Sequence, residues 1–576
     1  MKNGYKHIIN REVLEFNISE RGHAMSIQNK VSEFVRIKLN PALDQLFSKL
    51  SGSDEVVRIE QLIVELGTVS EKELENELVE KVVSEIRNKI EVLLKSSTST
   101  VNKSVAKIVS KDDNTSGISV TNRPADNLAQ FVYFLEYGYF PWWRTTIYKN
   151  RSSAANSFKN ILKEVLNVEN ELLKAAIIPL LKKERVRKRL LFQCNHSCLY
   201  ELFKRLNVKL FESYSSHFQP LLSCAGSTQI SKFLSVSFYQ TVLYYFGMEL
   251  ELKTEKRKIT FIKEILYLIL SNKTDEDKEK ILFEILHTAQ IKTKDYQQKD
   301  LLYVMVAIIQ IAIELPSKSQ LFQQMIQNLS QKNDSVINTL IEQAVKKARK
   351  EILEKNKIKE YESVKNASDF YAEEGVLDGK KVEGINSQKG ETKEKGKDFS
   401  VFSAKPDTAN EQIVILNAGL VLVHPFLRYF FEGLNLLDSN LQFKSEIEAF
   451  KAVHLLQFIV TGKDSTPEAE LPLNKILCGL DVTEPVPINI RLSNEDKDEC
   501  LFLIKTVLER WDALKTTNPA ALRDTYLQRE GILKQAGQSW NLTIERNTFD
   551  VMLEKLPWSV SLIKLPWCEQ ILYVEW

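Results

Sequence analysis

The sequence predicts a mainly α, multi-domain chain: a small βαβα N-terminal module, a central helical array and a C-terminal α+β domain rich in Trp. Three observations lead there. Only 19 glycines and 15 prolines punctuate 576 residues, about half the share usual in soluble proteins. Long elements must therefore dominate, which excludes a large sandwich or propeller with a turn every few residues. Apolar residues recur at helical spacing over most of the chain. Two stretches break that rhythm. Residues 96–124 turn to Ser, Thr, Asn and Asp, and residues 361–411 carry Gly375, Gly379, Gly384, Gly390 and Gly396 in Lys/Glu-rich text. Both read as linkers, because such compositions bury too little apolar surface to offset ordering entropy. They divide the chain into 1–95, 125–360 and 412–576.

In the first module Leu14, Phe16 and Ile18 alternate with Glu15 and Asn17, the period of a strand. Ile27, Val31, Phe34, Val35, Leu39, Leu43, Leu46, Phe47 and Leu50 then fall at helical spacing, with Pro41 placed to kink the helix. Residues 57–59 and 62–66 read as a second strand closed by Gly67. Ser70 with Glu73 forms a capping-box signature. It opens a helix striped by Leu74, Leu78, Val82, Ile86, Ile90 and Leu94.

Past the first linker comes a dense aromatic segment: Phe131, Tyr133, Phe134, Tyr137, Tyr139, Phe140, Pro141, Trp142 and Trp143. Residues 128–137 read as a helix ended by Gly138. From about 155 to 355 only amphipathic helices are legible, without a fixed repeat. Residues 301–315 are the most apolar run, interrupted by Gln310 and Glu314 and stopped by Pro316. They are too few to span a bilayer and predict a helix buried all round. The last domain opens at 413–423, continues through helices to about 535, and ends in a small β unit at 540–544, 559–565 and 571–576. Five of the seven Trp residues fall here, which predicts a compact aromatic core.

Little in the sequence points to catalysis. With 78 basic and 76 acidic residues the net charge is +2, so no whole-molecule field draws the protein to nucleic acid or anionic lipid. The basic run at 182–189 reads as a solvated helix face. The six cysteines are scattered, as expected of a reduced, cytoplasmic-type protein. Cys194 and Cys198 share an i, i+4 spacing but lack further ligands and read as core residues. Residues 1–16 have no apolar run of secretory type. P-loop, dinucleotide-binding, zinc-protease and nucleophile-elbow signatures are absent. The best catalytic candidates, His424 and His454 backed by Glu470, sit in apolar runs and read as core or capping residues.

Several segments carry a resemblance. His7 to Glu15, with Arg58-Ile59-Glu60-Gln61-Leu62-Ile63-Val64-Glu65-Leu66-Gly67, is similar to the N-terminal module of contractile injection system tape measure proteins. Gly138-Tyr139-Phe140-Pro141-Trp142-Trp143 resembles that family's G-x-L-P-W-W element. The C-terminal domain matches most specifically. It carries Leu416-Asn417-Ala418-Gly419-Leu420-Val421-Leu422-Val423-His424-Pro425-Phe426-Leu427, then Ala452-Val453-His454-Leu455-Leu456. Glu470-Leu471-Pro472-Leu473-Asn474-Lys475 and Leu527-Gln528-Arg529-Glu530-Gly531 follow, and Leu565-Pro566-Trp567 and Val574-Glu575-Trp576 close the chain. The resemblance covers about 1–95, 126–200 and 411–576. The stretch from about 205 to 355 carries no matched motif.

What the resemblance implies is a structural protein, not an enzyme, that sets inner-tube length in an extracellular-type, phage-tail-like particle. It needs no cofactor and no metal, binds no nucleic acid and inserts in no membrane. Its implied partners are the inner-tube protein, a tube initiator or baseplate hub or spike, and a tube-terminating cap. Assembly in the cytoplasm and retention inside the released particle are expected. The alternative is a globular assembly chaperone or baseplate adaptor of the same particle. Fully helical, 576 residues reach at most roughly 860 Å. Amphipathic helices need their apolar stripes covered, either by self-association into a helical bundle or by a compact form that rearranges.

Overall fold

The computed structural model describes residues 7–9, 12–15, 30–50, 55–59, 61–67, 74–97, 118–144, 161–271, 273–292, 299–315, 412–488 and 490–576. Phe16, Ile18, Ile27, the Ser70–Glu73 capping box and the 361–411 linker lie outside them. The chain divides into two compact units. One joins Met1–Cys198 to Phe399–Trp576; the other is Leu199–Asp398. Residues 125–198, read from the sequence as the start of the central array, belong with the C-terminal domain.

In the first unit, residues 30–50 are helical and pass Pro41 by widening. A π turn at Val35–Leu39 places the Asn40 N–H on the carbonyl of Val35, five residues back. That loosened turn accommodates the proline ring, which otherwise clashes with the preceding turn. From there α1 (Asn40–Leu50) buries Leu43 and Leu46 against Leu78 and Val82 of α2 (Leu74–Ser97).

Strand β1 (Glu55–Ile59) pairs antiparallel with β2 (Ile118–Asn122), from Glu55↔Asn122 to Ile59↔Ile118. The expected βαβα layout is not confirmed. Among the described residues, 62–66 and 12–15 join no strand, and the rest of the first expected strand lies outside them. The partner of β1 comes from the segment read as a linker, where Ile118 and the β-branched pair Val120 and Thr121 suit a pleated surface. Asn122 then caps α3 (Arg123–Tyr137), its Oδ1 accepting the Ala125 N–H at 2.9 Å. The helix therefore begins five residues earlier than its apolar stripe suggests. Gly138 ends it at φ 85°, a left-handed cap.

After a helical stretch at 161–165 come α4 (Asn170–Leu180), α5 (Glu184–Gln193) and α6 (His196–Ser223), the last carrying the chain from one unit into the other. Within α6 the helix breaks at Asn207, whose Oδ1 accepts the Leu210 N–H at 3.1 Å and caps the continuation.

The second unit continues with α7 (Thr228–Gly247), α8 (Glu255–Leu270), α9 (Asp275–Lys292) and α10 (Lys299–Glu314). Ser227 and Thr254 cap α7 and α8. Phe203, Phe211, Tyr214, Phe238, Phe246 and Phe261 fill its core, and Phe218 stacks on Phe238 at 4.1 Å. In α10, Leu301, Val304–Ile309, Ile311 and Ala312 are buried, so the most apolar run of the sequence is an interior helix. Among the described residues no helix is long and apolar enough to cross a membrane.

The C-terminal part of the first unit packs α11 (Leu427–Gly433), α12 (Glu446–Thr461), α13 (Pro472–Leu477) and α14 (Asn494–Arg510) with a five-stranded sheet. Its strands are β3 (Gln412–Ile415), β4 (Gly531–Ala536), β5 (Ser539–Ile544), β6 (Leu562–Ile563) and β7 (Leu572–Glu575), in the order β3-β4-β5-β7-β6. All pairs are antiparallel except β5 with β7. Helix therefore stops short of 535, and β4 occupies that stretch. Gly537, at φ 61°, opens the two-residue β4–β5 turn.

All five tryptophans of this domain give their indole N–H a partner. Trp511 donates to Met552 O (3.2 Å), Trp540 to Gln570 (2.7 Å), Trp558 to Leu422 O (3.0 Å), Trp567 to Leu477 O (2.8 Å) and Trp576 to Asp550 (3.3 Å). Each ring is thus fixed at its polar edge as well as by packing.

Every tryptophan lies in the first unit, so the second is spectroscopically separable. Phe261→Ala, which empties the centre of the helical core, is expected to destabilise that unit by about 3–5 kcal/mol. Tryptophan fluorescence in denaturant follows the first unit alone, and the loss of far-UV circular dichroism that moves to lower denaturant without a fluorescence change measures the second.

Candidate functional site

The segments that carry the resemblance converge on buried polar contacts. The most central begins on α5. Its buried face is Val186, Arg189, Leu190 and Gln193, a helical spacing with a cation in the middle. The basic run is therefore not wholly a solvated face, because Arg189 is 0% exposed. Its Nε lies 3.0 and 3.1 Å from the two oxygens of Glu468, itself 0% exposed. Nη1 donates to Leu135 O at 2.5 Å and Nη2 to Thr483 O. Lys475, equally buried, donates to Glu468 Oε1 at 2.7 Å and to Val482 O at 2.9 Å.

Two cations thus share one carboxylate, and backbone carbonyls give every remaining nitrogen of the two cations a partner. Desolvation lowers the pKa of Arg189 and takes that of Lys475 down to about 8, with Glu468 opposing both shifts. Gln193 extends the joint, donating to Val486 O at 2.8 Å and accepting the Glu468 N–H at 3.2 Å.

Gly138 is explained by the same cluster. A Cβ there would lie 2.5 Å from Glu468 Oε1 and 2.8 Å from Arg189 Nη2. The rest of its aromatic element binds toward the N-terminus. Trp143 lies under the Arg58 guanidinium, 4.7 Å from the ring centroid, and 5.6 Å from Tyr133. Arg58 pairs with Asp126 of α3, and Gln130 donates to the same carboxylate at 2.7 Å. Trp142 meets Trp143 edge-on, and Pro141 is buried before them.

A second cluster joins three C-terminal segments. Asn417 Nδ2 donates to Gln457 Oε1 (2.9 Å) and Asn474 Oδ1 (2.6 Å), and Asn474 Nδ2 donates to Val453 O (3.0 Å) and Gln457 (3.2 Å). Leu473 is fully buried beside them. Gly419 sits where a Cβ would be 1.7 Å from Tyr526 O, so only glycine fits.

A third cluster lies around Arg529. It forks onto Asp550 at 2.8 and 3.0 Å, with its guanidinium 5.6 Å from the Trp576 ring. Its own carbonyl accepts the Ala418 N–H at 2.9 Å. Burial would raise Asp550, but hydrogen bonds from Arg529, Asn547 and Trp576 bring its pKa below the usual value. Gln528 donates to Val460 O at 3.2 Å, and the Glu530 carbonyl accepts the Glu545 N–H at 3.0 Å. Pro566 precedes Trp567, whose ring packs 5.3 Å from Phe431.

Each of the two candidate histidines is held by a backbone carbonyl. His424 Nδ1 donates to Val421 O at 2.9 Å and His454 Nε2 to Pro487 O at 2.7 Å. Burial lowers both pKa values, favouring neutral rings. Pro425 lies inside the 3-10 helix Ala418–Phe426. Cys194 is buried and its pKa pushed up, first by burial. Among the described residues no three His, Cys, Asp or Glu side chains group as metal ligands.

Sequence reasoning missed Arg189, Gln457, Glu468 and Asp550. Arg189 and Gln457 carried a signal, since each is a polar residue at an interior position of an apolar helix stripe. Glu468 and Asp550 sit in short 3-10 turns where no periodicity marks burial.

Removing one member of the central cluster strands buried charge. Arg189→Met is expected to lower stability by about 3–5 kcal/mol, read as a shifted denaturant midpoint. Arg189→Lys should not restore it, because an ammonium lacks the fork. Glu470 supplies a pH signature. Burial raises its carboxyl from 4.5 to about 7, opposed by Lys463 and Arg144, and its Oε1 is unpaired. Between these values the folded state holds the proton and the unfolded state does not, so stability falls as pH rises. Glu470→Gln should match the parent near pH 4 and exceed it by about 3 kcal/mol at pH 8. Parallel slopes would contradict this.

No curated protein and no solved structure matches this chain. The family model of the contractile injection system tape measure protein matches residues 6–576. The match runs through all three clusters and also across the helical unit that carried no legible motif. The chain belongs to the contractile injection system tape measure protein family, a structural class rather than an enzyme class.

Proposed function

We propose that this protein sets the length of the inner tube in an extracellular-type contractile injection system. Its chain occupies the growing tube until a terminating cap closes the far end. The observation that carries this reading is the family match over nearly the whole chain. The breaker-poor helical unit supports it, since helix converts residue number into length at about 1.5 Å per residue.

On this reading the partners are the inner-tube protein, the tube initiator or baseplate hub or spike, and the terminating cap. Assembly takes place in the cytoplasm, and the protein stays inside the released particle. The buried motif residues, among them Gly138, Asn417, Gly419, His454, Leu473, Asn474, Arg529 and Trp567, act chiefly by holding the end modules in shape.

One observation favours the chaperone or adaptor reading: residues before Cys198 and after Phe399 pack as a single compact unit. Electron microscopy of particles built with insertions and deletions between 205 and 355 separates the two. A ruler gives tube lengths that change in proportion to residues added or removed. An adaptor gives normal tubes or none, and unchanged lengths across the series would overturn the ruler.

A further inference from the structure

We infer that the ruler is a closed loop: the chain between Cys198 and Gln412 leaves and re-enters the same compact unit, clamped by the Arg189–Glu468–Lys475 cluster. This rests on the tape-measure reading and specifies how residues become length.

The inference starts from connectivity. The last residue of the first unit before the helical unit is Cys198, and the chain returns to the first unit from Phe399 onward. The two flanks are joined by contacts that cross nearly 300 residues. Arg189 meets Glu468 and Thr483, Gln193 meets Val486, and the Ile488 N–H donates to Phe192 O at 3.4 Å. Phe192 packs edge-on against Phe450 at 6.5 Å, and Tyr139 is buried in the C-terminal core.

This joint is specific rather than adaptable. Breaking only one partner leaves an uncompensated buried charge, and Gly138 admits no side chain beside it. The two ends of the intervening chain are therefore held together, not at opposite ends of a rod.

A loop tied at both ends reaches half its contour. Each helical residue then adds about 0.75 Å of reach instead of about 1.5 Å. Removing 40 helical residues should shorten the tube by about 30 Å for a closed loop and by about 60 Å for an open chain. The joint also becomes a passive part of the finished ruler, so it need not open during assembly.

Two measurements on the full chain in assembling particles test this. The first is the slope of tube length against residues inserted or deleted between 205 and 355. A slope near 0.75 Å per residue supports the closed loop, and one near 1.5 Å overturns it while leaving the ruler intact. A zero slope overturns the ruler, and the closed loop with it. The second is a covalent clamp, Phe192→Cys with Ile488→Cys, placed at a backbone-bonded pair. Oxidised protein should build tubes of parental length. Tubes that fail or change length when oxidised, and recover when the same protein is reduced, would show that the joint must open and would overturn the inference.

Discussion

The first unit depends on one buried interaction. Arg189, Glu468 and Lys475 bring three charges into a core with no solvent exposure, which is tolerated only because each charge finds its partners there. The carboxylate accepts from both cations, and the carbonyls of Leu135, Thr483 and Val482 accept further hydrogen bonds from them. An apolar substitute of the same volume packs at least as stably in many proteins. What the ionic version adds is register: Arg189 Nε spans both oxygens of Glu468 while its two Nη atoms reach the carbonyls of Leu135 and Thr483, an arrangement that fits one orientation. The C-terminus of α3, the face of α5 and the turn before α13 are all set by that fit.

The polar clusters share a design in which short motifs far apart in sequence become neighbours inside one domain. Asn417, Gln457 and Asn474 tie the 3-10 opening of the domain to α12 and α13. Arg529 and Asp550 tie the turn before β4 to the segment before β6, and Trp576 closes over both. Gly419 and Gly531 let the backbone approach within what would be a side-chain radius. Asn417, Gly419, Leu473, Asn474, Arg529 and Trp567 thus lie in the interior, whereas Pro425, Glu530 and Pro566 are exposed. The second unit is different: its core is a stack of Phe and Tyr rings between helices, held by apolar packing that tolerates substitution if volume is kept.

Much of this was legible in the residues. Few breakers and helical periodicity gave the helix-dominated class. Leu301 to Leu315 announced an interior helix, Gly138 a helix stop, and the C-terminal tryptophans an aromatic core, each because the signal is local. Less legible were Ile118–Asn122 and Gly531–Ala536. A strand of five or six residues with Ser, Thr, Asn or Lys in it is stabilised by its neighbours rather than by its own pattern. The beginning of β1's partner inside a polar stretch is a case in point, since only pairing with Glu55–Ile59 makes it a strand.

The sequence by itself determined the helical character and, through its ordered motifs, the family. It could not determine which parts belong together. Periodicity reports whether a residue faces a core, not which core, so Arg189 read as one more base in a basic run. Tertiary structure decided that this side chain is buried and that its carboxylate lies 279 residues away. It thereby placed both flanks of the helical unit in one body. The physical reason is that a buried charge must be paired, and the pairing partner is chosen by the fold rather than by proximity in the chain.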